Sequence, residues 1–379
     1  MQDDITYDLA IVGGGLAGLA LSIQTVKLGY KVILFEKEQY PFHKVCGEYI
    51  SLESWNFLQS LGVDLRSMNV THIKRLQVSD IKGNFFEQPL PLGGFGISRF
   101  TLDHQLARIA KENKVIVNEQ TRVNEIAFTN NEFNLVTTAG NFKSKLAVAS
   151  FGKRSNLDVK WKRPFIVAKK NKLNNYIGVK YHIRYDFPDD LISLHNFKKG
   201  YCGISKVEND KYCLCYLTTA DNLQNSNNDI RKMEQNILSA NPHLKKIFNE
   251  CEMLWKEPVT ISQISFDKKN LVEDHVLMIG DAAGMITPLC GNGMSMALHA
   301  SKIAAEQILK FLEGTISREI MEKDYTEKWN KLFANRLKTG RMLQRLFDSQ
   351  WLTTLMIRLG RSFPSLIRTL IKQTHGHPF

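Results

Sequence analysis

Gly13, Gly15 and Gly18 are spaced G-x-G-x-x-G directly after the apolar run Asp8-Leu9-Ala10-Ile11-Val12. In such a turn the first glycine permits tight reversal, the second lets backbone approach a pyrophosphate, and the third lets helix and strand pack closely. Leu16 and Ala17 open the next helix, whose amides and positive dipole end would face the phosphates. Glu36 follows about 20 positions later, where a carboxylate can accept hydrogen bonds from both ribose hydroxyls. The chemistry written here is dinucleotide binding.

A second segment, Gly280-Asp281-Ala282-Ala283-Gly284, follows the apolar run Val276-Leu277-Met278-Ile279 and leads to Pro288, Gly291, Gly293 and Met294. A strand there would deliver Asp281 to its carboxyl end, within reach of a ribityl hydroxyl. Gly291 and Gly293 would let the next helix begin close against a flavin ring, its dipole favouring the negative charge that develops at the N1-C2-O2 edge on reduction. Two remote segments converging on one dinucleotide point to FAD. Neither a Ser-His-Asp arrangement nor a paired-carboxylate motif stands out, which suits an enzyme whose hard chemistry belongs to a cofactor.

The elements that must hold these residues read as follows. Leu16, Leu19, Ala20, Ile23 and Val26 form a helical stripe that Gly29 ends before a strand over 31–35. Ser51, or Ser54 one register on, caps a short helix ending at Gly62. Alternation over 73–88 predicts strands around Lys82-Gly83-Asn84, Thr101 is expected to cap a helix over 102–113, and 115–117 reads as a buried strand. After a hairpin around Ala139-Gly140-Asn141, longer alternating runs at 177–183, 191–195, 201–205 and 212–218 predict an antiparallel sheet. Helices over 228–239 and 243–251 and a returning strand over 259–266 follow, then a helix over 293–311.

The chain has 379 residues, which favours two domains or one large one with an inserted layer. Its net charge of +12 suits an anionic membrane or an acidic ligand, while no nucleic-acid motif accompanies it. Met1-Gln2-Asp3-Asp4 is acidic and leads straight into a strand, so no signal peptide is expected, and no apolar run reaches the roughly 18 residues of a membrane span. A cytoplasmic location follows. Cys46, Cys202, Cys213, Cys215, Cys251 and Cys290 show neither CxxC pairing nor zinc spacing, so no metal is expected and reduced thiols are the default. Cys213 and Cys215 should share one face of a strand.

The fingerprint with Glu36, the Gly96-Ile97-Ser98-Arg99-Phe100-Thr101-Leu102-Asp103 segment and Gly280–Gly284 with Pro288 and Gly291-Asn292-Gly293 resemble the FAD-dependent oxidoreductase superfamily of geranylgeranyl reductases, aromatic-ring flavin monooxygenases and flavin-dependent halogenases. That resemblance implies an α/β fold: a glutathione-reductase-type Rossmann FAD-binding domain (1–162 and 267–315), an inserted antiparallel-sheet substrate domain (163–266, with 73–98 contributing) and a helical C-terminal region (316–379). It places Arg99 at the ribityl-phosphate region and Lys44 near the FAD. Lys37, Val123, Cys46 and Gly47 complete the expected cofactor set. Lys44-x-Cys46-Gly47 resembles the geranylgeranyl-reductase branch, and the Trp-x-Trp-x-Ile-Pro segment usual in halogenases is missing. Phe151-Gly152-Lys153-Arg154-Ser155 lacks the Asp of many hydroxylases, which counts against direct, hydroxylase-style NADPH use; NADPH or another electron donor stays open. The run from His195 to Ser205, including Tyr201, corresponds to the strands facing the flavin. Cys46, Tyr201 and Cys290 are the catalytic candidates.

The resemblance implies reduction of a carbon-carbon double bond in a prenyl or long-chain substrate by hydride from flavin N5, with a proton from solvent or a nearby acid. The alternatives are hydroxylation of a phenolic lipid or polyketide, and prenyl-lipid binding without catalysis, which the intact loop with Glu36 and Asp281 opposes. Trp351, Leu352, Leu355, Met356, Leu359, Phe363, Leu366, Ile367, Leu370 and Ile371 recur at helical spacing, with Arg358, Arg361, Arg368 and Lys372 between them and no acid from Trp351 onward. This stripe is expected to pack over the substrate domain, and its basic face also suits an anionic bilayer.

Overall fold

The computed structural model describes residues 5–167 and 175–379; the acidic tetrad at 1–4 lies outside the described residues. Thr6–Val12 is the central strand of the first sheet. It pairs in parallel with Val32–Phe35 on one side and Gly140–Ala149 on the other, and Ile116–Asn118 extends the first flank. Val276–Met278 adds in parallel to Gly140–Ala149, so the strand that feeds the second glycine segment lies two places from the strand that feeds the first. Parallel strands buried on both faces explain the near-continuous apolar runs. Ile116 is the exception: at the sheet edge it is exposed, whereas a buried strand was expected, because no further strand covers that side among the described residues.

The second sheet has nine strands among the described residues, in the order Glu252–Met253, Tyr176–Arg184, Tyr212–Thr219, Gly200–Lys206, Leu191–Phe197, Thr71–Ser79, Phe85–Gly96 and Tyr49–Ser51, with Val259–Ile264 also paired to Tyr176–Arg184. Leu191–Phe197 pairs in parallel with Thr71–Ser79, which joins chain from before and after the Rossmann strand Gly140–Ala149 into one sheet. The turn between Thr71–Ser79 and Phe85–Gly96 closes on Asp80, whose Oδ1 accepts from the Lys82 and Asn84 amides at 3.0 Å each.

The helix expected from residue 102 starts at Arg99 and runs to Glu112, with Ser98 as its cap instead of Thr101. Ser98 Oγ accepts from the Thr101 amide at 3.1 Å, while Thr101 Oγ1 donates to Glu208 Oε1 at 2.7 Å. The acid that settles this register comes from beyond strand Gly200–Lys206, a contact invisible to local pattern. Helices Arg318–Phe347, Gln350–Ser362 and Pro364–Thr374 then cover the second sheet. Tyr176 Oη donates to Asp348 at 2.8 Å, Asn196 Nδ2 to the Phe347 carbonyl at 2.9 Å, and Arg361 Nε to the Phe85 carbonyl at 2.7 Å.

Candidate functional site

Gly13 has φ +108°, and a Cβ there would lie 2.4 Å from the Ser150 carbonyl oxygen; a Cβ on Gly18 would lie 2.2 Å from the Gly13 oxygen. Both positions therefore require glycine. The turn delivers Gly15 as N-cap of helix Leu16–Val26, with no side-chain cap and no acid in the first turn. Its amides and dipole end remain available to an anion. Helix Arg99–Glu112 is the contrast, because the Glu48 and Glu208 carboxylates already accept from its first amides at 2.8 Å.

Two cations flank the open turn. Arg99 Nη2 and Lys44 Nζ lie 3.5 and 3.8 Å from where a Gly15 Cβ would sit. Asp103 aims both, holding Arg99 through two bonds of 2.7 Å and Lys44 at 3.2 Å. Burial pushes the Asp103 carboxyl up, but Arg99 and Lys44 outweigh it and bring it below its ordinary value. A bidentate guanidinium held this way is pre-oriented for a diphosphate. Glu36 is buried at the end of its strand, accepting from the Gly14 amide at 2.9 Å and the Glu38 amide at 3.1 Å, and Tyr40 Oη donates to the Gly14 carbonyl.

The second glycine segment meets the first directly. A Cβ on Gly280 would lie 3.2 Å from the Ala17 Cβ. Arg163, fully buried, clamps this segment by donating to Asp158 Oδ1 at 2.8 Å and the Ala282 carbonyl at 3.1 Å. Lys269 Nζ donates to the Asp281 carbonyl at 2.7 Å, and burial brings its ammonium down to about 8. Pro288–Cys290 then forms a tight turn, Gly291 has φ +63°, and Gly293 begins helix Gly293–Leu312, which again has no side-chain cap and no acid in its first turn.

Cys46 and Gly47 form the opposite rim, pressed against the second sheet. Cys213 Sγ lies 3.3 Å from the Cys46 carbonyl and Ser205 Oγ 3.4 Å from that of Gly47. Beneath them Glu48 is fully buried, bound to Lys180 and, at 2.6 Å, to His182 Nε2. Burial pushes its carboxyl up, yet Lys180 and His182 bring it down to about 2. Lys180 and His182 pair across the ladder with Cys215 and Cys213, so all four side chains share one face of the sheet.

Of the expected cofactor residues, the fold brings together Gly13, Gly15, Leu16, Ala17, Gly18, Glu36, Lys44, Arg99 and Gly280 around the open turn, with Asp281 next in the chain. Val123 is buried two residues beyond Thr121, whose amide donates to the Glu36 carbonyl at 2.9 Å. Met294 is buried at the start of the second open helix. Lys37 is not part of the group: it faces solvent and pairs with Glu38 at 3.6 Å. Tyr201 belongs to the apolar cluster under the C-terminal helices, its ring 6.1 Å from that of Phe347. The side chain of Cys290 lies outside the described residues. Asp103 was read only as part of a motif, and its role in aiming the two cations, like the places of Glu48, Lys180 and His182, escaped the sequence reading. Their signals were an acid between apolar residues of a helix and two polar residues two apart in an otherwise buried strand.

An apolar cavity, partly open to solvent, lies beside Pro288 and Gly291. Leu76, Val78 and Leu194 of the second sheet form one wall, and Met356, Ile367 and Ile371 of the C-terminal helices form the other. Tyr49, Thr374 and His375 give its few polar atoms, and none of its described lining side chains is acidic, lysine or arginine.

The chain matches the model of the NAD(P)-binding Rossmann-like domain family over residues 11–45. It is 24% identical to conditioned medium factor receptor 1 of Dictyostelium discoideum over 91% of this chain and 71% of that one. It is 26% identical to digeranylgeranylglycerophospholipid reductase of Methanococcus vannielii over 91% of this chain and 88% of the relative. The solved structure of a flavin-dependent brominase superimposes with a TM-score of 0.80 at 20% identity, covering 98% of this chain and 93% of the other. The fold is that of FAD-binding halogenases and reductases, and the relatives support an FAD-dependent oxidoreductase. An open glycine turn flanked by two aimed cations, with a carboxylate one strand away, fits FAD.

Proposed function

We propose that this chain is an FAD-dependent reductase of a prenyl or long-chain alkyl compound. FAD would be held along Gly13–Gly18, Glu36, Arg99, Lys44 and Asp281, between the Cys46-Gly47 rim and the Gly291–Gly293 helix start, supplying the redox chemistry after reduction by NADPH or another donor. The observation that carries this reading is the apolar cavity ending at Pro288 and Gly291, beside the open helix start. Its apolar walls bind by burial, at roughly 25 cal/mol per Å² of apolar surface, which suits a long hydrocarbon chain. The C-terminal helices exclude water from the substrate, and their outer face is the proposed contact with an anionic bilayer of the cytoplasm. The sequence divisions at 162/163, 266/267 and 315/316 serve as the proposed domain limits, with 73–98 assigned to the substrate side.

The test begins with the FAD-loaded protein, chemically reduced without oxygen and mixed with a C20 prenyl alcohol. Reoxidation of the flavin, together with a product that has gained two hydrogens, is the expected result. Oxygen consumption coupled to hydroxylation of a phenolic lipid would replace this reading with the monooxygenase one. A colourless protein that binds prenyl compounds but no FAD would leave only lipid binding.

A further inference from the structure

The cavity is not uniformly apolar. Tyr49 and His375 line it where Gly291 and Thr374 also contribute, and Asn292 Nδ2 ties the two sides together by donating to the Thr374 carbonyl at 2.7 Å. The Tyr49 ring is clamped between two backbones: a Cβ on Gly94 would lie 2.4 Å from it, and one on Gly291 3.0 Å. Its hydroxyl is buried and finds no hydrogen-bond partner among the described residues. His375 Nε2 is likewise buried without a partner there.

The hydrogen-bonding roles of the two groups follow from their surroundings. Burial, then the nearby Glu53 carboxylate, raises the Tyr49 phenol above its ordinary value, so it stays protonated and can donate. Burial lowers the His375 imidazole, which stays neutral. His375 Nδ1 lies 3.0 Å from the Ile371 carbonyl and 3.2 Å from Thr374 Oγ1, whose own hydroxyl donates to that carbonyl at 2.9 Å; with the ring proton on Nδ1, Nε2 is the acceptor. One unused donor and one unused acceptor at the same end of an apolar cavity match a group that both accepts and donates. A hydroxyl does so; a bare hydrocarbon leaves both protein groups unsatisfied. A carboxylate or diphosphate would enter a cavity with no lining cation among the described residues, and burying an unpaired charge costs more still.

We propose that Tyr49 and His375 receive a neutral hydroxyl of the substrate, so that the enzyme takes a prenyl or alkyl alcohol or phenol instead of a hydrocarbon, an acid or a phosphate ester. The proposal rests on the reading of the cavity as the substrate site. Tyr49 donates to the hydroxyl oxygen, and the hydroxyl proton points to His375 Nε2. The two contacts fix how far the chain enters and which end lies beside Gly291.

The test compares three C20 prenyl probes, the alcohol, the diphosphate and the terminal hydrocarbon, titrated into the FAD-loaded protein and followed by the flavin absorbance change. The alcohol should bind about ten-fold tighter than either of the others, the scale of one or two neutral hydrogen bonds. In Tyr49→Phe the alcohol should fall to the affinity of the hydrocarbon, with hydrocarbon affinity unchanged. The ring survives that change and the lost hydroxyl has no partner in the protein, so Tm should hold or rise. His375→Leu should likewise erase the preference for the alcohol. Equal or tighter binding of the diphosphate, or an alcohol preference that survives Tyr49→Phe, overturns the proposal. The functional reading falls separately: if the alcohol is preferred but never reoxidises the reduced flavin, the binding site stands and the reductase does not. If none of the probes binds, both fall.

Discussion

Glu48 and His182 lie 2.6 Å apart through Oε2 and Nε2, joining the segment that carries Cys46 and Gly47 to the middle of the second sheet. Lys180 reaches the other oxygen of the same carboxylate, and so does the Arg99 amide at 2.8 Å. One buried side chain thus sets the position of the Cys46 rim relative to both the sheet and the helix that carries Arg99. The site depends on this three-way joint.

Glu48→Gln should therefore be severely destabilising, by about 3–5 kcal/mol, because Lys180 would be left as a buried charge without its counter-ion. Since the folded carboxyl sits at about 2 against an ordinary 4.5, its contribution is fully present above pH 4.5 and is lost as pH falls towards 2. Urea midpoints measured across that range should converge for the wild type and the variant at the acid end. A constant gap would show that the carboxylate charge is not what matters.

The turns at Gly13–Gly18 and Gly280–Gly284 were legible because tight backbone turns and close approaches are written in glycine spacing. Glu48 was not legible. Its partners Lys180 and His182 stand more than a hundred positions away on a strand, where their spacing marks a shared face but not the carboxylate they meet. The start of helix Arg99–Glu112 was misread for a related reason: Glu208 takes the Thr101 hydroxyl, leaving Ser98 to cap. The apolar stripe after Trp351 was legible as a stripe. That it would divide between a cavity wall and the outside needed the sheet against which it packs.

Arg99 and Lys37 were both expected to touch the cofactor, and the structure separates them. Arg99→Met removes a guanidinium that Asp103 aims at the open turn, so FAD affinity should fall about 10–100-fold, the scale of a charge-assisted pair. Lys37 is mostly exposed at 63%, and Lys37→Met should leave the affinity within about two-fold. Titration of apoprotein with FAD, read by flavin fluorescence, decides it. Equal losses in the two variants would place the diphosphate elsewhere.

Lys269 offers a test in the alkaline range. Its ammonium is lowered to about 8 in the folded protein, mainly by burial, from 10.5. Between those values the unfolded chain binds more protons than the folded one, so stability should rise with pH. Lys269→Met should abolish the rise while keeping most of the buried volume. Denaturation midpoints at about pH 8 and about pH 10 should differ more in the wild type than in the variant. The same substitution removes the donor to the Asp281 carbonyl, so FAD should also dissociate faster.

Helix Gln350–Ser362 carries more apolar surface than the fold uses. At about 100° per residue, Thr353, Met356, Ile357 and Gly360 span roughly 100° of its circumference. Ile357 and Gly360 are buried there, and Met356 lines the cavity. Trp351, 71% exposed, Leu355 and the following Phe363, 57% exposed, continue the apolar arc away from the protein. Arg358 and Arg361 flank it, and no acid occurs from Trp351 onward. Apolar side chains rimmed by cations suit the boundary of an anionic bilayer. Full-length protein should sediment with vesicles containing phosphatidylglycerol, less so as salt rises. Trp351→Ser combined with Leu355→Ser and Phe363→Ser should weaken that binding at least about ten-fold with the flavin spectrum unchanged, since each loses about 1.5–3 kcal/mol of transferable surface at full burial. Wild-type protein that stays in the supernatant at every lipid concentration would assign this face to another partner.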